Sequence, residues 1–253
     1  MSTDKDWQSW GQHNPYYGVI SNKKYAGKKL NPSTEKDFYL SGFHDIGGAM
    51  ALVRKLNQSN QRPAFRHAVD FGCGAGRLVI PLTGYADRVT GIDVSPSILR
   101  LAHSKVPKNL RGRISFRLSD DQLKVLPKNY DLIHSYIVLQ HIHPKRGMKL
   151  IDIMIDRLQP GGVVALHITY DHEASRLTRL VVWLRNHILP IHYLLNIMRG
   201  RPVKTPRMRM HKYSLPVFFD TLAKYGIEEF VTRPTNHGGY KGIMVVGRKP
   251  KNT

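Results

Sequence analysis

The 253-residue chain is poor in cysteine and acid and has no long uninterrupted apolar run. Its single cysteine, Cys73, rules out an intramolecular disulfide framework and a zinc site built from several thiolates. The longest apolar stretch, Leu180–Met198, is broken by Arg185, His187 and Pro190, so it is too polar for a membrane span. The first twenty residues carry no apolar signal segment, which predicts a cytoplasmic location.

The shortage of acid is most marked between Ala174 and Phe219, where there is no aspartate or glutamate. Over the whole chain, 39 basic against 18 acidic residues give a formal net charge of +21. Such a surface attracts phosphates, nucleic acid, anionic lipid or acidic glycans, and a merely solvated helix face is the alternative. The basic residues of this stretch are Arg176, Arg179, Arg185, Arg199, Arg201, Lys204, Arg207, Arg209 and Lys212.

A glycine-rich segment is the most informative part of the sequence. Asp70 is followed by Gly72, Gly74 and Gly76, with an apolar segment before them and a helix-like one after. This pattern predicts a strand, a tight turn and a helix, where an open α/β sheet holds a nucleoside-containing ligand against its backbone. The third glycine comes one residue too early for the dinucleotide fingerprint, and no Lys-Ser/Thr pair follows to make a P-loop.

Further strand-like segments follow in an order that suits the same ligand. The second strand ends at Asp93, whose carboxylate is expected to accept hydrogen bonds from ribose hydroxyls. Ser95 then caps a helix with Pro96 in its first turn, and Ile98 is expected to face an adenine ring.

Three more strands complete the core pattern. A third strand at Ile114–Leu118 leads to Asp120 and Asp121, which we expect to meet the adenine amino group. The fourth begins near Tyr130 and runs into a helix, and the fifth follows the turn at Pro160. Alternating strands and helices favour one doubly wound sheet.

The motif Asp-x-Gly-x-Gly-x-Gly, with the later segments in order, resembles class I S-adenosylmethionine (SAM)-dependent methyltransferases over about residues 65–170. The resemblance implies an α/β fold with a doubly wound, mainly parallel seven-stranded sheet, and SAM as cofactor. Its antiparallel last strands would come from Ile227–Thr232 and Gly242–Arg248. The implied cofactor-binding residues are Tyr16, Tyr17, Asp70, Gly72, Cys73, Gly74, Gly76, Arg77, Asp93, Val94, Ile98, Asp120, Asp121, Ser135 and Tyr136.

We predict a single domain over residues 1–253. Residues 1–57 would form an N-terminal lid rich in aromatic side chains and a helix at 42–57, with the alternative that the aromatics only pin this arm to the core. The cofactor-binding core is 65–170. The insertion at 171–213 is predicted to be a basic, helical substrate cap; a core-packed helix is favoured over one that contacts anionic lipid. A helix and two strands would fill 214–249.

An alcohol acceptor must lose a proton, and histidine is suited to remove it near neutral pH. Of the 13 histidines, the candidates for the base are His141 after the fourth strand, His172 beside the cap, and His237 next to paired glycines. The acid-free insertion offers no carboxylate-rich site, so no metal is predicted. Cys73 lies in the glycine turn, which argues against a cysteine nucleophile for pyrimidine methylation.

These features predict methylation of an oxygen atom on a small molecule or saccharide, anionic or lipid-linked. Segments such as Trp-x-x-Trp-Gly and His-Gly-Gly-Tyr resemble bacterial methyltransferases of uncharacterised or cell-surface-glycan type. An RNA or DNA methyltransferase is the first alternative, supported by charge alone, and a non-catalytic SAM-binding regulatory protein is the second. Peripheral contact with the inner face of an anionic membrane stays open.

Overall fold

The computed structural model describes residues 3–173, 188–198, 203 and 205–251. These residues contain a seven-stranded sheet with the order β3-β2-β1-β4-β5-β7-β6. Its strands are β1 (Phe65–Phe71), β2 (Ala86–Asp93), β3 (Ile114–Leu118), β4 (Leu132–Ser135), β5 (Val163–His172), β6 (Phe230–His237) and β7 (Tyr240–Arg248). The helices are α1 (Thr3–His13), α2 (Pro15–Val19), α3 (Pro32–Leu56), α4 (Val79–Leu82), α5 (Pro96–Lys105), α6 (Pro144–Asp156), α7 (Leu189–Met198) and α8 (Leu215–Lys224).

Strands β3, β2, β1, β4 and β5 are parallel, and β7 runs antiparallel to both β5 and β6. The predicted doubly wound, mainly parallel seven-stranded sheet is therefore confirmed. The strand order reverses beside β1, so the carboxyl ends of β1 and β4 flank a crevice where such folds bind ligands. The sixth strand starts three residues later than predicted, at Phe230, and extends to His237.

Helices cover both faces of the sheet and bury its apolar side chains. On one face, Met154 of α6 and Phe218 of α8 are fully buried in the larger core. On the other, α3 contributes Ile46, Met50 and Val53, whose spacing of three or four residues puts them on one side of the helix.

The predicted helix at 42–57 is longer than expected, because α3 begins at Pro32. The side chain of Asn31 accepts a hydrogen bond from the amide of Thr34, and Pro32 occupies the first turn. Both features favour a helix start at this point. The helix therefore passes over the glycine-rich turn before it reaches the sheet, and its first half can contribute to a site there.

Gly42 is where α3 packs directly on the glycine-rich turn, since a Cβ at this position would lie 2.1 Å from the carbonyl oxygen of Arg77. We expect Gly42→Ala to lower the free energy of unfolding by about 1–3 kcal/mol, as overpacking does. Gly47→Ala is the matched control on the same helix, because a Cβ there meets nothing within 4 Å. It should raise stability by roughly 0.5–1 kcal/mol. Urea unfolding of both variants gives the change in the free energy of unfolding. An equal change at Gly42 and Gly47 would contradict the packing argument.

Candidate active site

A cavity of about 750 Å³ opens at the carboxyl ends of β1, β2 and β4. This volume lies within the range of small-molecule sites. The loops after these strands form its floor, and Trp7, Trp10 and Tyr17 of the N-terminal segment form part of its wall. Segment 206–208 and Met210 also line it. Residues far apart in sequence therefore share one chamber.

The glycine-rich turn has the backbone geometry that its sequence predicts. Gly72, Gly74 and Gly76 have φ angles of +77°, +51° and +80°, which side-chain-bearing residues rarely adopt. A Cβ at Gly74 would also lie 2.6 Å from the side chain of Val19. Gly72, Cys73 and Gly74 line the cavity, while Gly76 packs toward Ala102 and stays outside the lining. The turn exposes backbone to the cavity where a ligand can approach closely.

Asp93 ends β2 at the cavity and is tied to the same turn. One carboxylate oxygen accepts a hydrogen bond from the amide of Gly74 (3.0 Å), and the other from the amide of Ser95 (3.0 Å). Burial raises the pKa of Asp93 to about 6, although these backbone donors oppose the shift. Val94 and Ile98 line the cavity beside it. The carboxylate is thus placed to accept further hydrogen bonds from a ligand.

Only one of the two predicted tyrosines in α2 faces the cavity. Tyr17 lines it and packs against Trp10, with ring centroids 5.6 Å apart. Tyr16 is buried against Phe38, and its hydroxyl donates to the carboxylate of Glu35. Successive residues on a helix point in different directions, which separates these neighbours. Tyr16 therefore supports the wall from behind.

Two predicted residues lie beneath the glycine-rich turn, outside the cavity lining. Asp70 is buried and pairs with the imidazole of His134, with 2.7 Å between Oδ1 and Nδ1. The hydroxyl of Ser135 donates to the carbonyl of Phe71 at 2.9 Å. These contacts join the ends of β1 and β4, so both side chains shape the turn from below.

The two aspartates after β3 are engaged elsewhere. The carboxylate of Asp120 accepts hydrogen bonds from the amides of Gln122 and Lys124 and so closes its own turn. Asp121 pairs with Arg146. Neither lines the cavity, whereas Ser119, which the sequence reasoning did not single out, does.

The three candidate bases have different surroundings. His141 lines the cavity, but its Nδ1 donates to the carbonyl of Arg209 (2.8 Å) and its ring packs on Trp7 (4.8 Å). Burial lowers the pKa of His141 to about 4, so it is a weak base. His172 stacks on the ring of Tyr240 (3.8 Å) and lies outside the lining.

His237 lines the cavity together with Tyr136, and its Nε2 lies 3.4 Å from the tyrosine hydroxyl. Burial lowers the pKa of His237 from its ordinary value, and the nearby carboxylate of Asp45 opposes this shift. The imidazole is therefore neutral at pH 7 and able to accept a proton. The two glycines after His237 have φ angles of +64° and +88° and form the tight β6–β7 turn.

His167 on β5 supports this pair from inside the sheet. Its ring centroid lies 5.2 Å from that of Tyr136 and 5.3 Å from that of His237. Its Nε2 is 2.7 Å from the hydroxyl of Thr235. Burial lowers its pKa to about 3, with neighbouring positive charge adding to the effect. A neutral ring thus packs behind the pair that faces the cavity.

Arg77 closes the same end of the cavity through contacts with α3. Its guanidinium donates to the carboxylate of Asp45 (2.6 Å) and to the hydroxyl of Ser41 (3.1 Å). Ser41, Asp45 and Arg77 all line the cavity. The sequence pattern predicts Arg77 at this site but carries no sign of Asp45, because only the packing of α3 brings the two together.

Comparisons with known proteins agree with this geometry. Residues 68–162 match the model of a family of methyltransferase domains. The chain is 28% identical over 187 residues to the mitochondrial ubiquinone biosynthesis O-methyltransferase of Schizosaccharomyces pombe, covering 69% of this chain and 67% of that protein. It is 32% identical over 123 residues to a trans-aconitate 2-methyltransferase of Deinococcus radiodurans, covering 46% of this chain and 43% of that protein. The chain thus spans two thirds of the first relative and less than half of the second.

Solved structures share the fold along nearly the whole chain. Magnesium protoporphyrin IX methyltransferase from Synechocystis PCC 6803, with bound S-adenosylhomocysteine (SAH), superposes with a TM-score of 0.61 at 17% identity. This match covers 98% of the present chain and 100% of the other. A phosphoethanolamine N-methyltransferase from Haemonchus contortus, also with SAH, gives a TM-score of 0.62 at 13% identity and covers 99% of this chain and 61% of that one.

Proposed function

Since this chain carries a class I SAM-dependent methyltransferase domain, we propose that it transfers the methyl group of SAM to an oxygen atom of a small-molecule acceptor. One observation carries the proposal. A single cavity holds the glycine-rich turn with Asp93, and also the Tyr136–His237 pair. The first set suits a nucleoside, and the second suits an acceptor that must lose a proton.

The residues of the first set fit SAM. We assign the ribose hydroxyls to the carboxylate of Asp93, and the close approach of backbone to ligand to Gly72 and Gly74. The faces of Trp7 and Trp10 suit a sulfonium, which is a cation. Ile98 is assigned to the adenine ring. We assign the adenine amino group to Ser119 and not to Asp120 or Asp121, because Ser119 lines the cavity and the two aspartates do not.

Bound SAM would supply an electrophilic methyl group, with a neutral thioether as the leaving group. The imidazole of His237 accepts the proton of the acceptor hydroxyl as the new carbon–oxygen bond forms. Tyr136, within 3.4 Å of that imidazole, fixes its orientation. The cavity walls align acceptor and methyl group, and such alignment contributes several kcal/mol in displacement reactions. The imidazolium then returns its proton to water.

We propose an anionic acceptor. The formal charge of +21 favours anions in general, and Arg207 places a cation in the cavity lining. The names of the relatives include one O-methyltransferase and one enzyme for trans-aconitate, which supports transfer to small molecules. Nucleic acid is the competing acceptor, and its support is the charge alone.

Calorimetry of SAH binding, followed by labelled-methyl transfer to separated fractions, tests the proposal. We expect tight SAH binding and label in the acidic small-molecule or glycan fraction of a cell extract. Label in RNA that disappears steeply with added salt would replace this function with nucleic-acid methylation. SAH binding without transfer to small molecules, glycans, lipid or RNA would identify a non-catalytic SAM-binding protein.

A further inference from the structure

Helix α7 exposes large apolar side chains, unlike a helix whose apolar face packs on a core. Leu194, Ile197 and Met198 are 56%, 57% and 74% exposed. Their spacing of three and four residues places them on one face of the helix. Asn196, on the opposite face, is only 4% exposed, and its amide donates to the carbonyl of Val203 at 3.0 Å. An apolar face of the helix therefore points outward, while Asn196 points inward.

Two further exposed apolar residues lie close to α7 in the sequence. Ile188 precedes α7 and Val203 follows it, at 38% and 44% exposure. Isolated apolar residues are normal on protein surfaces, but a group of exposed aliphatic side chains on one helix face marks a place of contact. We call these five residues the α7 surface.

The charge of the sequence on either side of α7 indicates what the α7 surface contacts. The surrounding sequence, residues 174–219, has nine lysines and arginines and no acidic residue. An aliphatic helix within a basic stretch of sequence is typical of helices that lie in the interface of a bilayer containing anionic lipid. Nucleic-acid surfaces differ, because they present aromatic side chains for base stacking, and the α7 surface has none. Within the described ranges, no helix combines the length and apolar character needed to cross a bilayer.

We propose that the α7 surface docks the protein on the surface of an anionic lipid bilayer. The helix lies in the headgroup region with Leu194, Ile197 and Met198 toward the acyl chains. Asn196, on the inward face, lines the cavity, so docking puts the cavity wall next to the lipid headgroups. The helical cap predicted from the sequence falls largely on residues 174–187, which lie outside the described residues.

Co-sedimentation with vesicles tests the proposal on the full chain. Wild-type protein should sediment with phosphatidylcholine vesicles that contain phosphatidylglycerol, and much less with pure phosphatidylcholine. The triple variant Leu194→Ser, Ile197→Ser, Met198→Ser should bind the anionic vesicles at least about tenfold more weakly. Val217→Ser is the control, because this exposed valine lies on α8 and outside the α7 surface. Its vesicle binding should match the wild type.

Calorimetry of SAH binding checks that each variant is folded. Vesicle binding is measured without methyl transfer, so its outcome does not depend on the proposed enzymatic function. Equal sedimentation of the triple variant and the wild type would overturn the proposal. Failure of the wild-type protein to sediment with anionic vesicles would also overturn it. Self-association in sedimentation velocity that the triple variant loses, without vesicle binding, would reassign the α7 surface to a second copy of the chain. Binding to RNA that depends on the same three residues would reassign it to nucleic acid.

Discussion

His237→Ala is expected to lower kcat by about a hundredfold or more while leaving the Kd for SAH unchanged. Removal of a general base typically costs about 10²- to 10⁴-fold. His237 lines the cavity beside Tyr136, whereas burial lowers the pKa of His141 to about 4 and makes it a weak base. Labelled-methyl transfer at saturating acceptor gives kcat, and calorimetry gives Kd.

The pH profile separates a base from a structural residue. Burial lowers the pKa of His237, so the wild-type rate should fall as the pH drops through a value below the ordinary 6.5. The residual rate of His237→Gln should lack this acid limb. His103→Ala is the control, because His103 is an exposed histidine on α5. Its kcat and pH profile should match those of the wild type. A kcat within threefold of wild type for His237→Ala would transfer the role to His141.

Asp93→Ala is expected to raise the Kd for SAH by about tenfold to a hundredfold, equivalent to about 1.5–3 kcal/mol for a charge-assisted hydrogen bond. The carboxylate lies at the cavity edge and also holds the amide of Gly74. Its removal therefore takes away both a ligand contact and an anchor of the glycine-rich turn. Asp87→Ala is the matched control, because Asp87 is an exposed aspartate on the same strand.

The same carboxylate should make SAH affinity depend on pH. With a pKa of about 6, Asp93 protonates in the free protein as the pH falls below that value, and a protonated carboxyl accepts hydrogen bonds less well. The Kd should therefore rise below pH 6 in the wild type. Asp93→Asn cannot ionise at this position, so it should bind SAH more weakly and its Kd should not change with pH in this range. An unchanged Kd in Asp93→Ala would mean that the ribose binds elsewhere.

Local patterns predicted the sheet and the glycine-rich turn because their causes are local. Glycine is required where φ is positive, and Gly72 and Gly74 have such angles. Asp93, which ends β2, lines the cavity because parallel strands end at one edge of the sheet, and its role toward a ribose stays a prediction. These inferences needed no knowledge of distant contacts.

Side-chain direction could not be predicted in the same way. Asp120 follows a strand as Asp93 does, yet its carboxylate caps its own turn. The Tyr136–His237 pair joins residues 101 positions apart, and β6 reaches the site only because β7 lies between it and β5. Sequence spacing carries no signal for such a contact. The ion pair of Asp45 and Arg77 escaped prediction on the same grounds.

The position of β7 has a consequence for synthesis on the ribosome. Strand β6 is synthesised before β7, yet β7 is the strand to which β6 is hydrogen-bonded in the sheet. Met244, Val245 and Val246 of β7 are buried in the two cores of the sheet, so these cores are complete only once β7 has been made. A premature stop codon after β5 would therefore remove part of both cores as well as His237 from the cavity wall.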